Sequence, residues 1–255
     1  MKVIYLNTWG GRYMEGLMGF VRRWAQKADV FCFQEVHHST QEHCERRSPN
    51  QFVRWDLWNK LQDYLPDFRG YLATFDDDPY RMSQAMCLRR SIRLEKYDAT
   101  TIYSPEQPLE AGDAIESARK VQSMIIPIRE KKVAIINYHG LWTPQGKLDS
   151  PERLEQSRRL REYLARFSMP TIFGGDMNLE PRTQSMALLK EGMVDLVGHY
   201  GVRSTRTVLY REYDNPQASK HADYLLASPT IVVNSFRVLG DIASDHAALY
   251  LDFSL

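Results

Sequence analysis

The sequence has no long run of apolar residues. Within its 255 residues, no stretch approaches the roughly 18 consecutive apolar side chains that indicate a membrane-spanning helix. Near the N-terminus, the apolar run covers only residues 3–6, which is too short for the core of a secretory signal peptide. We therefore expect a protein with no membrane span.

Cysteine is scarce. The three cysteines, Cys32, Cys44 and Cys87, cannot all pair with one another, and no Cys-x-x-Cys motif occurs. This pattern favours reduced thiols over a disulfide framework. The expected location is therefore the cytoplasm.

A marked excess of charge of either sign is also missing. The 33 basic and 32 acidic side chains leave a formal net charge of +1, with a pI of about 7.7. This balance gives no overall attraction to nucleic acid, although it is compatible with a local basic face. The apolar fraction of 43% and the charged fraction of 25% are typical of a soluble globular protein. With no repeats and no low-complexity tract, the simplest organisation is a single domain over residues 1–255.

The most informative motif is Gly-Gly-Asp-Met-Asn at residues 174–178, after an apolar run that predicts the end of a buried strand. The two glycines allow a tight turn and leave room for a ligand. In extended backbone, residues i and i+2 point to the same side, so Asp176 and Asn178 are expected to face one site. A carboxylate can bind a hard cation or take a proton from water, and an amide can contact a phosphoryl oxygen. Taken alone, the motif is equally compatible with an Asx turn that closes a strand.

The N-terminal segment predicts a strand–helix–strand unit. The β-rich residues 2–6 precede helically spaced apolar positions in 15–27 and the continuous apolar run 30–33. Such a crossover favours a parallel pair of strands, which places Asn7 and Glu35 at the same edge. Glu35 is then either a solvent-exposed strand end or a metal ligand.

The middle of the chain carries weaker signals. Apolar spacing predicts a helix at 52–65, and residues 71–75, 85–88 and 92–97 predict a meander of three strands. Residues 104–119 are expected to form a long loop that shapes the pocket.

Two polar clusters in this region resemble cation sites. Residues 37–50 combine three histidines with Cys44, but their spacing fits no common zinc finger, so a loop is favoured. Residues 76–78 are three consecutive aspartates, for which a solvated turn is the favoured interpretation over a cation site.

The C-terminal half predicts strands with polar side chains at their ends. A strand pair at 121–128 and 132–138 ends in His139, beside a glycine. A lone histidine is often structural, but a strand end next to a glycine is also a common place for a functional one. Further strands are predicted at 222–227, 231–239 and 247–253; Asp223 lies near the start of the first, and Ser244-Asp245-His246 precedes the last.

Between these strands, two helices and one irregular segment are predicted. The helix at 151–167 has Pro151 in its first turn and is rich in arginine, and a second helix lies around 183–191. Residues 198–220, rich in Arg, Tyr and Thr, are expected to be irregular.

In chain order, these motifs resemble those of the endonuclease/exonuclease/phosphatase superfamily, the DNase I-like metal-dependent phosphoester hydrolases. The matching positions are Asn7, Gln34-Glu35, His139, 175–178, Asp223 and 244–246. Each motif is weak alone, but the complete set, in order, spans essentially the whole chain.

The resemblance implies an α/β fold, a four-layer α/β/β/α sandwich with two packed mixed β-sheets. It also implies Mg²⁺ or Mn²⁺ bound by Glu35, with Asn7 and Asp245 close by. Oxygen ligands of this kind suit hard cations. We expect a monomer that acts on a phosphodiester.

The expected catalytic residues are His139, Asp176, Asn178, Asp223 and His246. The metal would neutralise developing charge, and Asp176 would orient or deprotonate the attacking water. Asn7 and Asn178 would donate hydrogen bonds to phosphoryl oxygens, and His139 would donate to a phosphoryl or leaving oxygen. His246, kept cationic by Asp223, would stabilise the transition state.

Three functions remain open at this point. The favoured one is a phosphodiesterase of nucleic acid, in which Arg153 contacts the backbone and Trp142 stacks on bases. The near-neutral pI favours a short or single-stranded substrate over a long duplex. The alternatives are a phosphatase or phosphodiesterase of a small molecule or lipid head group, and an inactive binding module on the same fold.

Overall fold

The computed structural model describes residues 1–38, 56–74, 83–104, 119–143 and 146–255. The chain forms two compact units, each assembled from separate segments. The first unit contains residues 1–93, 205–218 and 233–253, and the second contains 94–204, 219–232 and 254–255. Neither unit is a continuous piece of chain, so each is described below by its own sheet.

The sheet of the first unit has six strands in the order β11-β12-β1-β2-β4-β3. Their bounds are β1 Lys2–Asn7, β2 Val30–Val36, β3 Phe68–Ala73, β4 Ser83–Arg89, β11 Val232–Val238 and β12 Leu249–Ser254. β1 pairs with β2 in parallel and with β12 antiparallel. The sheet is therefore mixed, and the predicted parallel pair of N-terminal strands is confirmed.

Two helices cover apolar side chains of this sheet. They are α1, Met14–Ala25, and α2, Leu57–Tyr64; a short 3₁₀ turn, Trp9–Gly11, precedes α1. Leu17, Val21 and Trp24 recur at helical spacing on α1 and are buried in one cluster with side chains of the strands. Burial of this stripe, rather than helix propensity, is what holds α1 in place.

The sheet of the second unit also has six strands, in the order β5-β6-β7-β8-β10-β9. Their bounds are β5 Lys96–Tyr103, β6 Arg119–Ile128, β7 Lys131–His139, β8 Thr171–Asp176, β9 Val194–Asp195 and β10 Asp223–Ala227. β7 and β8 are parallel, whereas β8 and β10 are antiparallel. The helices of this unit are α3 Pro151–Leu164, α4 Gln184–Lys190 and α5 Leu196–His199.

The helix α3 is the crossover between the parallel strands β7 and β8. Ser150 caps its first turn by accepting a hydrogen bond from the backbone N–H of Arg153, and Pro151 occupies the first turn as predicted. Tyr163 of the last turn shares a 2.8 Å hydrogen bond with Ser123 of β6. None of the helices in the described ranges is both long and apolar enough to cross a membrane.

The predicted meander is wrong in its third strand. β3 and β4 pair antiparallel, but the next strand is 96–103 rather than 92–97 and belongs to the sheet of the second unit. The backbone N–H of Ile92 instead bonds to the carbonyl oxygen of Arg89, which turns the chain after β4. A short apolar pattern cannot predict which distant strand a segment pairs with.

Some predictions fall outside the described residues. These are the aspartates at 76–78, the residues 105–118 of the long loop, the start of the helix predicted at 52–65, and His43 and Cys44 of the polar cluster. His37 of that cluster is buried, and burial, with Arg12 and His38 nearby, lowers its pKa to about 4. Cys32 and Cys87 are buried and free.

Asp149 connects the loop before α3 to the start of α4. Its carboxylate accepts hydrogen bonds from the backbone N–H groups of Gln184 and Ser185 and from the Ser185 hydroxyl, at 2.7, 2.9 and 2.6 Å. The first N–H groups of a helix have no partner within the helix, so a carboxylate there satisfies them and complements the helix dipole.

We expect Asp149→Ala to lower the free energy of unfolding by about 1 kcal/mol at neutral pH, measured by urea titration. Burial acts to raise the pKa of Asp149, but the hydrogen bonds from Ser185 and Gln184 and the charge of Arg153 outweigh it and lower the pKa. The stabilisation is therefore complete above about pH 4 and is lost as the pH falls through the lowered pKa. The stabilities of wild type and variant should converge in acid, whereas Glu162→Gln, an exposed control on α3, should change nothing.

Gly140 follows β7 and lies against the turn after β8. A Cβ at this position would lie 2.2 Å from the carbonyl oxygen of Met177 and 2.7 Å from its carbonyl carbon. We expect Gly140→Ala to displace this turn and to cost about 1–3 kcal/mol of stability in urea or thermal unfolding. Gly19→Ala in α1 is the matched control, because a Cβ there meets nothing within 4 Å and alanine is the better helix former. Equal stability of the two variants would contradict the close approach.

Candidate active site

In each sheet, two neighbouring parallel strands end where an adjacent antiparallel strand begins. We call this end of the strands the edge of that unit. In the first unit, β1 and β2 end there and β12 begins; in the second unit, β7 and β8 end and β10 begins. All the polar side chains singled out in the sequence at strand ends lie on these two edges. Polar groups at the carboxyl ends of parallel strands are a common origin of binding sites in α/β proteins.

On the second unit's edge, three predicted residues form one row across neighbouring strands. His139 of β7 is opposite Asp176 of β8, and Asp176 is opposite Asp223 of β10. Directly opposed residues point to the same side of a sheet, so the three side chains share one face. His139 Nε2 is 3.8 Å from Asp176 Oδ2, and the carboxylate oxygens of Asp176 and Asp223 approach within 4.8 Å.

This row is almost closed to solvent. His139, Asp176 and Asp223 are 6%, 2% and 3% exposed. Two carboxylates this close and this buried need cationic or donor groups around them, because burying charge without partners is costly.

The turn after β8 positions Asn178 beside Asp176. The backbone N–H of Asn178 donates to Asp176 Oδ1 at 2.9 Å, which is the Asx turn that the sequence also allowed. Asn178 has a φ of +52°, and Gly175 has a φ of +133°, both in the left-handed half of backbone space. Left-handed backbone at a non-glycine residue is sparsely populated and, where observed, points to function.

Gly140 fixes this turn from the neighbouring strand. Its N–H donates to the carbonyl oxygen of Asp176 at 2.7 Å, and its own carbonyl oxygen accepts from Asn178 Nδ2 at 3.2 Å and from Arg119 Nε at 3.1 Å. The motif Gly-Asp-Met-Asn is therefore held by backbone hydrogen bonds on both sides. An amide nitrogen carries two hydrogens, so the bond from Asn178 to Gly140 uses only one of them.

On the first unit's edge, Asn7 and Glu35 are in direct contact. Asn7 Nδ2 donates to Glu35 Oε1 at 3.0 Å, and Asn7 Oδ1 accepts from the backbone N–H of Trp9 at 2.9 Å. Glu35 and Trp9 have φ values of +57° and +53°. The Thr8 hydroxyl stabilises this geometry by contacting the carbonyl oxygens of Gln34 and Glu35, both at 2.9 Å.

The donor set of this edge suits a hard divalent cation. Glu35 offers a partly exposed carboxylate, Asp245 offers a second carboxylate on the same unit, and Asn7 adds an amide oxygen. Mg²⁺ and Mn²⁺ prefer oxygen ligands of this type, whereas no thiol lies among them. Glu35 and Asn7, which are in contact, therefore offer oxygen atoms of the kind that the implied metal prefers.

The Ser244-Asp245-His246 motif is held by a segment that the sequence placed in an irregular region. The backbone N–H of Thr207 donates to the carbonyl oxygen of Asp245, at 3.0 Å, and the N–H of Ala247 donates to that of Thr205, at 2.9 Å. Arg206 forms an isolated β-bridge with His246. Its guanidinium donates to Asp245 Oδ2 at 3.2 Å and contacts His246 Nε2.

Arg206 is the residue that the sequence analysis missed. The only sequence signal was that 198–220 is rich in arginine, tyrosine and threonine, which does not single out one side chain. Its guanidinium also lies over the ring of Tyr210, 4.5 Å from the ring centre.

Two of the predicted substrate-binding residues, Trp142 and Arg153, differ in their surroundings. Trp142 is 49% exposed, as a stacking residue requires. Arg153 is 4% exposed, and its guanidinium donates to the carbonyl oxygens of Leu141, Gly146 and Leu148. The structure therefore places Arg153 as a support of residues 141–143, which include Trp142, and of residues 146–148.

Solved structures with the same fold cover nearly the whole chain. An endonuclease/exonuclease/phosphatase family protein of Bacteroides thetaiotaomicron has a TM-score of 0.73 at 16% identity, covering 99% of this chain and 97% of its own. A mannosyl-6-phosphatase of the same organism has a TM-score of 0.71 at 16% identity, with both chains covered completely. TDP2 of D. rerio, solved with a single-strand DNA product, has a TM-score of 0.73 at 16% identity, covering 100% of this chain and 99% of its own.

These structures confirm the predicted fold class, with its two mixed β-sheets. No curated protein sequence matches the chain. The model of the Endonuclease/Exonuclease/phosphatase family matches residues 4–246, which includes every strand-end residue described above. The chain belongs to the endonuclease/exonuclease/phosphatase family.

Proposed function

We propose that this protein is a divalent-metal-dependent phosphodiesterase that acts on nucleic acid, preferably on short or single strands. The observation that carries the proposal is the buried row of His139, Asp176 and Asp223, a set of proton-handling groups on one face of a sheet. The family consists of phosphoester hydrolases, and its match runs through both units. The polar residues of each edge are therefore our candidates for the functional residues of this protein.

Asp176 is the proposed group that orients and deprotonates the attacking water. Its Oδ1 accepts from the backbone N–H of Asn178, so the carboxylate cannot rotate freely. Its Oδ2 is directed towards His139, 3.8 Å away. A carboxylate held in one orientation can accept a proton only from a water molecule in one position. An in-line attack on phosphorus requires the water to be held in one position.

His139 and Asn178 are the proposed donors to the phosphoryl group. His139 is next to Asp176 in the row, and Asn178 is fixed by the turn that follows. Donors that are already oriented cost no reorganisation when negative charge builds up on the phosphoryl oxygens. Asp223 and His246 complete the proposed set. Asp223 is proposed to orient His246, and His246 to stabilise the transition state.

Glu35, with Asn7 and Asp245, is the proposed holder of Mg²⁺ or Mn²⁺. When bound, the cation would supply charge neutralisation at the phosphoryl and leaving oxygens. Asn7 orients Glu35 through its 3.0 Å hydrogen bond, at a position where the backbone of Glu35 is left-handed. Asn7 is thus a positioning residue for Glu35.

The preference for nucleic acid has two supports. Trp142 presents an exposed aromatic ring on a loop that Arg153 braces, and such rings stack on bases without regard to sequence. The likeness to TDP2 of D. rerio, which was solved with a single-strand DNA product, is compatible with this substrate class. The near-neutral net charge supports a short or single strand rather than a long duplex.

A phosphatase of a small molecule is the second candidate. The observation in its favour is the equally high likeness to a mannosyl-6-phosphatase over the full length of both chains. A monoester substrate would use the same polar row without needing the exposed ring of Trp142.

The test is hydrolysis of bis-p-nitrophenyl phosphate and p-nitrophenyl phosphate with Mg²⁺, Mn²⁺ or EDTA. We expect cleavage of the diester that EDTA abolishes, and losses in kcat of about 10³-fold or more in Asp176→Asn and Glu35→Gln. Glu162→Gln, an exposed carboxylate on α3, is the matched control and should retain full activity. Turnover of the monoester alone, or of mannose 6-phosphate, would favour the phosphatase.

The substrate class is tested with single-stranded and duplex oligonucleotides of equal length over a salt series. For a nucleic-acid enzyme we expect KM for the single strand to rise steeply with salt, because a polyanion releases counterions on binding. Trp142→Ala should raise KM for the oligonucleotide several-fold and leave bis-p-nitrophenyl phosphate unaffected. Oligonucleotide cleavage that is independent of salt and of Trp142 would contradict the assignment.

A further inference from the structure

The segment 205–207 is built against the Ser244-Asp245-His246 motif. The backbone bonds from Thr207 to Asp245 and from Ala247 to Thr205 fix the two stretches in register. The Thr207 hydroxyl adds a bond to the carbonyl oxygen of Ser244. The segment thereby places one side chain, Arg206, directly beside Asp245 and His246.

The Arg206 side chain is 6% exposed, and a buried guanidinium is costly unless its donors are engaged. One terminal nitrogen contacts both Asp245 Oδ2 and His246 Nε2. The other oxygen of Asp245 accepts from the Ser244 hydroxyl at 3.3 Å. Asp245 is therefore held at both oxygens, once by a charge and once by a hydroxyl.

The contact with His246 also favours one tautomer of the neutral imidazole ring. A guanidinium has donors only, so the ring nitrogen that faces it must accept. Nε2 of His246 is that nitrogen, which leaves the proton of the neutral ring on Nδ1. The backbone N–H of His246 bonds to the Ser244 hydroxyl at 3.1 Å, so the main chain of this residue is fixed as well.

Tyr210 supports the guanidinium from one side. Its ring centre is 4.5 Å from the central carbon of the Arg206 guanidinium, the geometry of a cation–π contact. Tyr210 lies in the same segment, so the contact keeps the long arginine side chain in one rotamer. A purely structural arginine would not need to contact both an acid and a histidine of a proposed catalytic motif.

We infer that Arg206 is a positioning residue that holds Asp245 and His246 in the orientation used for phosphoester hydrolysis and fixes the tautomer of His246. This inference rests on the proposed function for its kinetic consequence, but the tautomer is a property of the folded protein alone. The inference assigns a positioning role in the site to residues 205–210, which contain none of the family motifs.

The kinetic test uses Arg206→Met, which removes the charge, Arg206→Lys, which keeps the charge but not the planar fork, and Arg211→Met. Arg211 is exposed and lies five residues after Arg206, so it is the matched control. We expect Arg206→Met to lower kcat about 10²-fold with little change in KM, as misplaced catalytic groups do. Arg206→Lys should recover part of the loss, and Arg211→Met should behave as wild type.

A urea titration of each variant separates positioning from folding. We expect the kcat loss of Arg206→Met under conditions in which the variant is fully folded. A loss that disappears when the unfolded fraction is taken into account would overturn the inference. A loss confined to KM would also overturn it, because it would make Arg206 a substrate-binding residue.

The tautomer provides a test that does not depend on activity. Long-range ¹H–¹⁵N spectra of ¹⁵N-histidine-labelled protein should show His246 with its proton on Nδ1 in the wild type and in Arg211→Met. Arg206→Met should show a mixture of tautomers or an Nε2 proton. A wild-type His246 with its proton on Nε2 would overturn the inference even if hydrolysis is confirmed, and the Nδ1 tautomer would support it even if no phosphodiester is cleaved.

Discussion

The parallel pairing of β7 with β8 is the constraint on which the second unit's site depends. It sets His139 opposite Asp176, and the same register brings Gly140 against the turn that carries Asn178. A slip of one residue in this pairing would move every one of these side chains to the other face of the sheet. The backbone bonds of Gly140 and the absence of its Cβ hold the register at the strand ends, where pairing is otherwise weakest.

The backbone is also strained at the ends of several strands. Trp9, Glu35 and Asn178 all have left-handed backbone, and each is next to or within a proposed functional group. Side chains and backbone groups compensate for this strain locally, through the Thr8 hydroxyl, the Asn7 amide and the Asp176 carboxylate. The polar groups therefore have two tasks: they fix unusual backbone conformations and they present the chemistry.

The two carboxylates at the first unit's edge, Glu35 and Asp245, each contact a neighbouring side chain. Glu35 accepts a hydrogen bond from the neutral amide of Asn7. Asp245 is instead paired with Arg206, which also contacts His246. The two carboxylates of this edge therefore have different partners: a neutral amide for Glu35 and a guanidinium for Asp245.

The sequence by itself determined most of the strands, most of the helices and the strand-end residues of both edges, because period-2 and period-3.6 patterns and the Gly-Asp-x-Asn turn are local signals. It also identified the family, since Asn7, Glu35, His139, Asp176 and the later motifs occur in order. Only the tertiary structure placed the strand 96–103 in the second sheet and brought Arg206 to Asp245 and His246, because both depend on pairings between residues distant in the chain. The same reason explains Arg153, whose bonds to the carbonyl oxygens of Gly146 and Leu148 are not predicted by its helical pattern.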